Sequence, residues 1–290
     1  MDHPDDGEPP GTGRAPDGDA GAFEPGVAPR VRAALATLPR LGLRDHARLA
    51  LHLLRWVLLG AVVGVLAGVS SWALLRALVW ATDTRLDHPW LLFLLPFAGF
   101  AVGAVYHRIA GRAADGNNLL LDEIHSPADW IPRRMAFLIY GATVVTQVFG
   151  GSAGREGTAL QMAGSLTDWF CRVARLGPAD RRIMLIAALS GGFGAMFGVP
   201  IAGAMFGLEV QTIGRVRYEA LIPAITASIV GDQVVRALGA THELSPQLTP
   251  QITAPLLLEV ALAGAAFALA GAVFIELTHA IKRVMAALFT

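Results

Sequence analysis

Residues 150–158 read Gly150-Gly151-Ser152-Ala153-Gly154-Arg155-Glu156-Gly157-Thr158. Glycine permits tight bends and close backbone approach to a ligand. From Thr158 to Val173 the pattern is that of a helix. The stretch therefore puts a carboxylate on a glycine-rich bend that opens a helix. A helix start carries free N–H groups and is a ready anion site. An ionisable group at membrane depth is expensive and reads as functional by default. Glu156 and an anion compete for one place, and that competition outlines a mechanism.

The surroundings are membrane-grade. Of 290 residues, 54% are hydrophobic and 16% charged, against roughly 25% charged in a soluble domain. Mean hydropathy is +0.51. The length fits one integral membrane domain. Formal net charge is zero, so no nucleic-acid partner is implied. Arginine supplies nearly all the positive charge, with Lys282 as the one lysine. A single cysteine, Cys171, excludes an internal disulfide.

Outward from the bend, the apolar runs organise the chain. Residues 1–30 are rich in Asp, Gly, Pro and Ala and are expected to be a disordered tail. Residues 31–50 carry Arg32, Arg40, Arg44 and Arg48 among Ala and Leu, the pattern of an amphipathic helix on the cytoplasmic membrane surface. The run Leu53 to Ala81 exceeds the roughly 20 residues needed to span a bilayer. Its Gly60, Gly64 and Gly68 recur every fourth residue, which permits close helix packing. Trp80 and Trp90 bracket a polar turn as interface anchors. Further apolar runs are Leu91 to Ile109, Met135 to Phe149, Ile183 to Leu208, Ile222 to Val235 and Leu256 to Leu277. Arg172, Arg175, Arg181 and Arg182 form a basic loop, cytoplasmic by the positive-inside rule along with the N-terminal arginines. Gly191 to Pro200 interrupts its run and predicts a pair of half-helices, tolerated at membrane depth where the loose backbone is buried in protein or lines a cavity. Short, glycine-broken apolar segments point to a transporter's substrate site. They occur at Gly116 to Asn118, Gly150 to Gly157 and Gly191 to Pro200.

At these motifs the chain resembles the CLC family of chloride channels and proton-coupled anion transporters. Gly154-Arg155-Glu156-Gly157-Thr158 resembles the family's GREGP element, with Thr158 where proline is usual. Ala188 to Glu209, ALSGGFGAMFGVPIAGAMFGLE, resembles its following helix pair. Where common members carry GSGIP, this chain reads Gly116-Asn117-Asn118-Leu119-Leu120. That variant, with GREGT, is similar to the fluoride-exporting branch. The resemblance implies an all-α polytopic membrane protein with broken re-entrant helices, built from inverted repeats and assembled as a homodimer with a pathway in each subunit. It implies that Glu156 both blocks the anion path and carries the proton. The anion would be held by Gly116, Asn117, Asn118, Gly154, Arg155, Gly157 and Thr158. The position of the inner proton-transfer acid of the chloride exchangers is Val210, beside Glu209, and the fluoride branch is similar in lacking that acid. Residues 51–237 match a first repeat; 238–290 match a loop and the first helix of a second. Neither the later GxFxP-like helix start nor the second-half tyrosine follows, so the chain is expected to be a fragment or a truncated product.

The residues also carry plainer readings. Glu156 could form a salt bridge to Arg155, and Arg155 is expected to pair with a carboxylate in the interior. The side-chain amides of Asn117 and Asn118 donate hydrogen bonds to an anion, or cap a helix. Asp122, Glu123 and His125 read as an acid-lined helix end rather than a metal cluster, because no second ligand group has zinc spacing. Glu209 is expected to pair with Arg215 or Arg217. The functional expectation is halide transport, as proton-coupled fluoride export. Partners are fluoride or chloride, protons and the lipid bilayer, with no metal and no cofactor. The location is the bacterial inner membrane, with a cytoplasmic N-terminus. A chloride channel or chloride/proton antiporter is the alternative. A remote third is an intramembrane serine protease, since Gly150-Gly151-Ser152-Ala153 loosely resembles its nucleophile turn and His279 lies in a later apolar helix.

Overall fold

Leu43–Asp87 is one helix of 45 residues (α1), longer at both ends than its apolar run. No glycine or proline interrupts it before Gly60, so residues 43–50 continue the helix and are not a separate surface segment. The computed structural model describes residues 43–210, 217–240 and 253–289. The expected tail 1–30, the surface helix over 31–42 and Arg215 lie outside the described residues. Every element among the described residues is helical.

After α1 the chain makes a 3-10 turn, Pro89–Leu94, a helix Leu95–Val105 (α2), a π turn Tyr106–Ala110 and a 3-10 turn Gly111–Asp115. The run expected over 91–109 is therefore a broken rod. Helices follow at Asn117–His125 (α3), Arg134–Val148 (α4), Arg155–Val173 (α5), Pro178–Phe197 (α6), Pro200–Glu209 (α7) and Leu221–Ala237 (α8). Ala254–Phe289 (α9) is a separate unit of the chain, a helix of 36 residues. Four helical stretches, His46–Asp87, Pro89–His125, Tyr218–Ala237 and Ala254–Val284, are long and apolar enough to cross a membrane.

The core forms where small residues let helices close. The glycines of α1 meet α8 at the same four-residue spacing: a methyl group on Gly60, Gly64 or Gly68 would stand 2.9 Å from Pro223 Cα, 2.7 Å from Ala227 O and 2.7 Å from Gly231 O. Such approach gives van der Waals contact along the whole seam. Helix α6 lies at the centre, buried on all sides from Met184 to Gly192, as expected of a helix apolar all round. Gly191 packs on Ala67 and Ala227, and Gly192 on Ala163. These glycines are spacers inside a continuous helix. The break expected between Gly191 and Pro200 falls at its far end. Gly198 takes the left-handed conformation (φ 71°) and closes α6, and Pro200 opens α7. Glycine just past a helix end and proline at the first helical position are the residues that geometry favours.

Candidate functional site

Helices α3 and α5 run side by side in the same direction. Leu120 of α3 packs into the gap left by Gly164 of α5, and three residues earlier Asn117 lies against Gly157. Their N-termini therefore meet, and two partially positive helix ends share one place. Both helices start at glycine. Gly116 has φ 60° and ψ −130°, open to glycine but costly for any other residue. Gly154 precedes α5 in extended conformation. Neither helix has a side-chain cap hydrogen bond, so no capping side chain takes up the N–H groups of the first turn.

The bend before α5 is held from α4. Gly150 N–H donates to Gln147 O (3.1 Å) and Gly151 N–H to Thr146 O (2.8 Å). The Gln147 amide donates to Ala153 O (3.4 Å). Thr158 is 2% exposed. Its hydroxyl donates to Gly154 O at 3.0 Å and lies 2.7 Å from Thr143 Oγ1. Threonine here ties the bend to α4, so its hydroxyl is already engaged inside the protein.

Glu156 stands in the first turn of α5, where the helix dipole favours a negative charge. Its Oε2 folds back over Gly154, where a methyl group would meet it at 3.4 Å. Its side chain is 48% exposed, and Arg155 Nε lies 3.9 Å from Oε1. That pair is open to solvent on both sides, and such pairs contribute only about 0–1 kcal/mol. Arg155 is 40% exposed and not the interior arginine the sequence suggested. One residue on, a methyl group on Gly157 would stand 3.0 Å from Asn117 Nδ2. The structure thus brings Gly116, Asn117, Gly154, Glu156 and Gly157 together. Asn118 is exposed on the same turn. Neither asparagine side chain makes a hydrogen bond among the described residues.

The interior arginine is Arg181, at the other end of the α3/α5 pair. Its Nε lies 2.5 Å from Asp168 Oδ1 and its Nη1 3.1 Å from Glu123 Oε2. Its Nη2 donates to Asp129 O (2.8 Å) and its Cζ lies 4.8 Å from the Trp130 ring centre. Glu123 also accepts from Arg112 (2.7 Å) and from the N–H groups of Ala128 and Asp129. Asp168 accepts from Ile131 N–H (2.6 Å). Glu123 is buried and joins Arg181, Arg112 and the 128–129 backbone; among the described residues no group of three or more His, Cys, Asp and Glu side chains is placed to hold a metal ion. A cavity of about 360 Å³ opens beside this knot between Trp130, Arg133, Trp169 and Arg172. Glu209 is exposed and makes no ion pair with Arg217. Ser152 is exposed, with no side-chain hydrogen bond among the described residues.

The comparisons with known proteins agree with this architecture. A chloride/fluoride channel protein of Pseudomonas syringae pv. tomato is 46% identical over 230 residues, 79% of this chain and 51% of that protein. The H(+)/Cl(-) exchange transporter ClcA of Cronobacter sakazakii is 29% identical over 169 residues, 53% of this chain and 36% of that protein. The crystal structure of a CLC-type fluoride/proton antiporter superposes with a TM-score of 0.75 at 29% identity, covering 82% of this chain and 60% of that one. The chain spans about half the length, or less, of the curated relatives it matches. The fold is therefore the all-α, CLC-type membrane fold. The family model for voltage-gated chloride channels matches residues 98–290, and the chain belongs to that family.

Proposed function

We propose that this chain carries a halide across a membrane in exchange for protons, with fluoride as the transported ion and Glu156 as the gating, proton-carrying group. The observation that carries the reading is the meeting of two glycine-started helix ends at the carboxylate of Glu156, with the Asn117 amide against Gly157. Ionised, Glu156 occupies the positive end of α5, as an anion would. Protonated, it loses that attraction and leaves the donors to a halide. A small, strongly hydrated anion needs several close donors to replace its water. The backbone N–H groups of α3 and α5 and the amide of Asn117 are such donors. Gly116, Asn118, Gly154, Arg155 and Thr158 complete the anion surroundings in this reading, Thr158 through its hold on the bend.

The names of the relatives supply the halide class: a chloride/fluoride channel protein and a CLC-type fluoride/proton antiporter. The bacterial inner membrane, a cytoplasmic N-terminus and a homodimer with one pathway per subunit belong to the same proposal. Arg172, Arg175, Arg181 and Arg182 fall together at the ends of α5 and α6, which supports a cytoplasmic face there.

The test is flux from proteoliposomes loaded with fluoride or chloride, with external pH followed at the same time. The wild-type protein is expected to release fluoride with proton uptake. Glu156→Gln is expected to remove the proton movement and leave or alter anion flux. Chloride preference in the wild type would replace fluoride by chloride in the account. An unchanged proton-to-anion ratio in Glu156→Gln would end the gate assignment.

A further inference from the structure

Gln161 lies one turn beyond Glu156 on α5 and is 9% exposed. The body of the side chain is packed while its amide keeps contact with solvent, so the amide is reachable by a small ion from outside. Among the described residues the Gln161 side chain has no hydrogen-bond partner. The amide faces the two glycines where α3 and α5 meet. A methyl group on Gly116 would stand 3.5 Å from Nε2 and 3.7 Å from Oε1, and one on Gly157 would stand 3.9 Å from Nε2. The same point beside Gly157 is 3.0 Å from Asn117 Nδ2. Two neutral NH₂ groups, one from each helix, converge on a spot kept open by the absence of a side chain.

We propose that Gln161 is a direct anion ligand and a determinant of halide selectivity, forming with Asn117 a two-amide clip at Gly157. The inference rests on the anion pathway proposed above and adds a ligand to it. Gln161 has no ionisable group, so it serves the anion and not the proton. Each amide offers two N–H donors and no charge. A cationic side chain in the same place would hold an anion by long-range attraction and release it slowly. The clip rewards an ion that accepts strong, short hydrogen bonds, and among halides that favours the smallest. Removing Gln161 therefore weakens fluoride more than chloride. A purely structural glutamine would lower stability and leave the ratio of the two affinities unchanged.

The experiment is equilibrium binding of sodium fluoride and sodium chloride to the purified protein in detergent, by calorimetric titration, for wild type, Gln161→Leu and Gln161→Met. Thermal unfolding without halide is measured on each. The expected result is fluoride affinity lowered about ten- to hundredfold, the range for losing one hydrogen bond to a charged group, with a smaller loss for chloride. Methionine, unbranched and close in length, keeps the packing if leucine does not. Wild-type binding with an unchanged fluoride-to-chloride ratio in the variant that folds would overturn the clip and leave the wider pathway standing. No halide binding to the wild type would overturn both.

Discussion

The two ends of the α3/α5 pair are built on opposite terms. At the C-terminal end the buried charges of Arg181, Glu123 and Asp168 are answered. Arg181 is held by Asp168, Glu123 and a backbone carbonyl, and Glu123 takes two backbone N–H groups and Arg112 besides. At the N-terminal end little is answered. Both helix starts lack side-chain caps, and the amides of Asn117, Asn118 and Gln161 have no partner among the described residues. The contrast separates architecture from function. A buried ionic knot of one guanidinium between two carboxylates fixes how two helices and a loop meet. In the function proposed above, the neutral donors at the other end are the ones that receive the anion. The buried cation of the pair, Arg181, is already engaged by two carboxylates.

The largest effect should come from breaking the paired end. Arg181→Met removes the guanidinium from two carboxylates that are 0% and 1% exposed. Stranding buried charges in this way costs about 3–5 kcal/mol, measured as loss of stability in a denaturant titration in mixed micelles. Gly164→Leu comes next. Its side chain would displace Leu120 and wedge α3 from α5. Overpacking of this kind costs about 1–3 kcal/mol, and halide binding should fall with it because the two N-termini part. Gly157→Ala should be milder for the fold but selective for the ligand. Its methyl group would press on Asn117 Nδ2 at 3.0 Å and fill the clip, so halide affinity should drop about tenfold, near 1.4 kcal/mol, with unfolding nearly unchanged. The smallest effect is Arg112→Gln. Arg112 is 42% exposed, and Glu123 keeps Arg181 and two N–H groups. The loss should stay within about 0–1 kcal/mol and should not move halide binding.

Some of this design is readable along the chain. The bend at Gly150 to Gly157 announces itself because glycines and an acid interrupt an apolar region. The α6/α7 break follows from Gly198 and Pro200, whose backbone demands are local. Gly60, Gly64 and Gly68 foretell a close seam because the four-residue period is itself the contact pattern. Other features are not local and stay hidden. Arg181 looks like one of several loop arginines, since Glu123, Asp168 and Asp129 come to it from elsewhere in the chain. Arg155, next to the motif acid, attracts the interior role that Arg181 performs. The division of 31–50 from the first span fails over residues 43–50 because nothing in that stretch ends a helix. Gln161 carries no motif signal. Its one hint is polarity: Gln161, Ser165, Thr167 and Asp168 lie on a helix whose flanking residues are apolar, and such polar groups in a membrane helix need partners.

The most direct measurement locates the anion itself. Crystals of the Glu156→Gln protein soaked in bromide would mark a halide by its anomalous scattering. The account predicts a peak at the N-terminal end, within hydrogen-bonding reach of Asn117 and Gln161 beside Gly157. A peak confined to the cavity at Trp130, Arg133 and Arg172, with none beside Gly157, would contradict it.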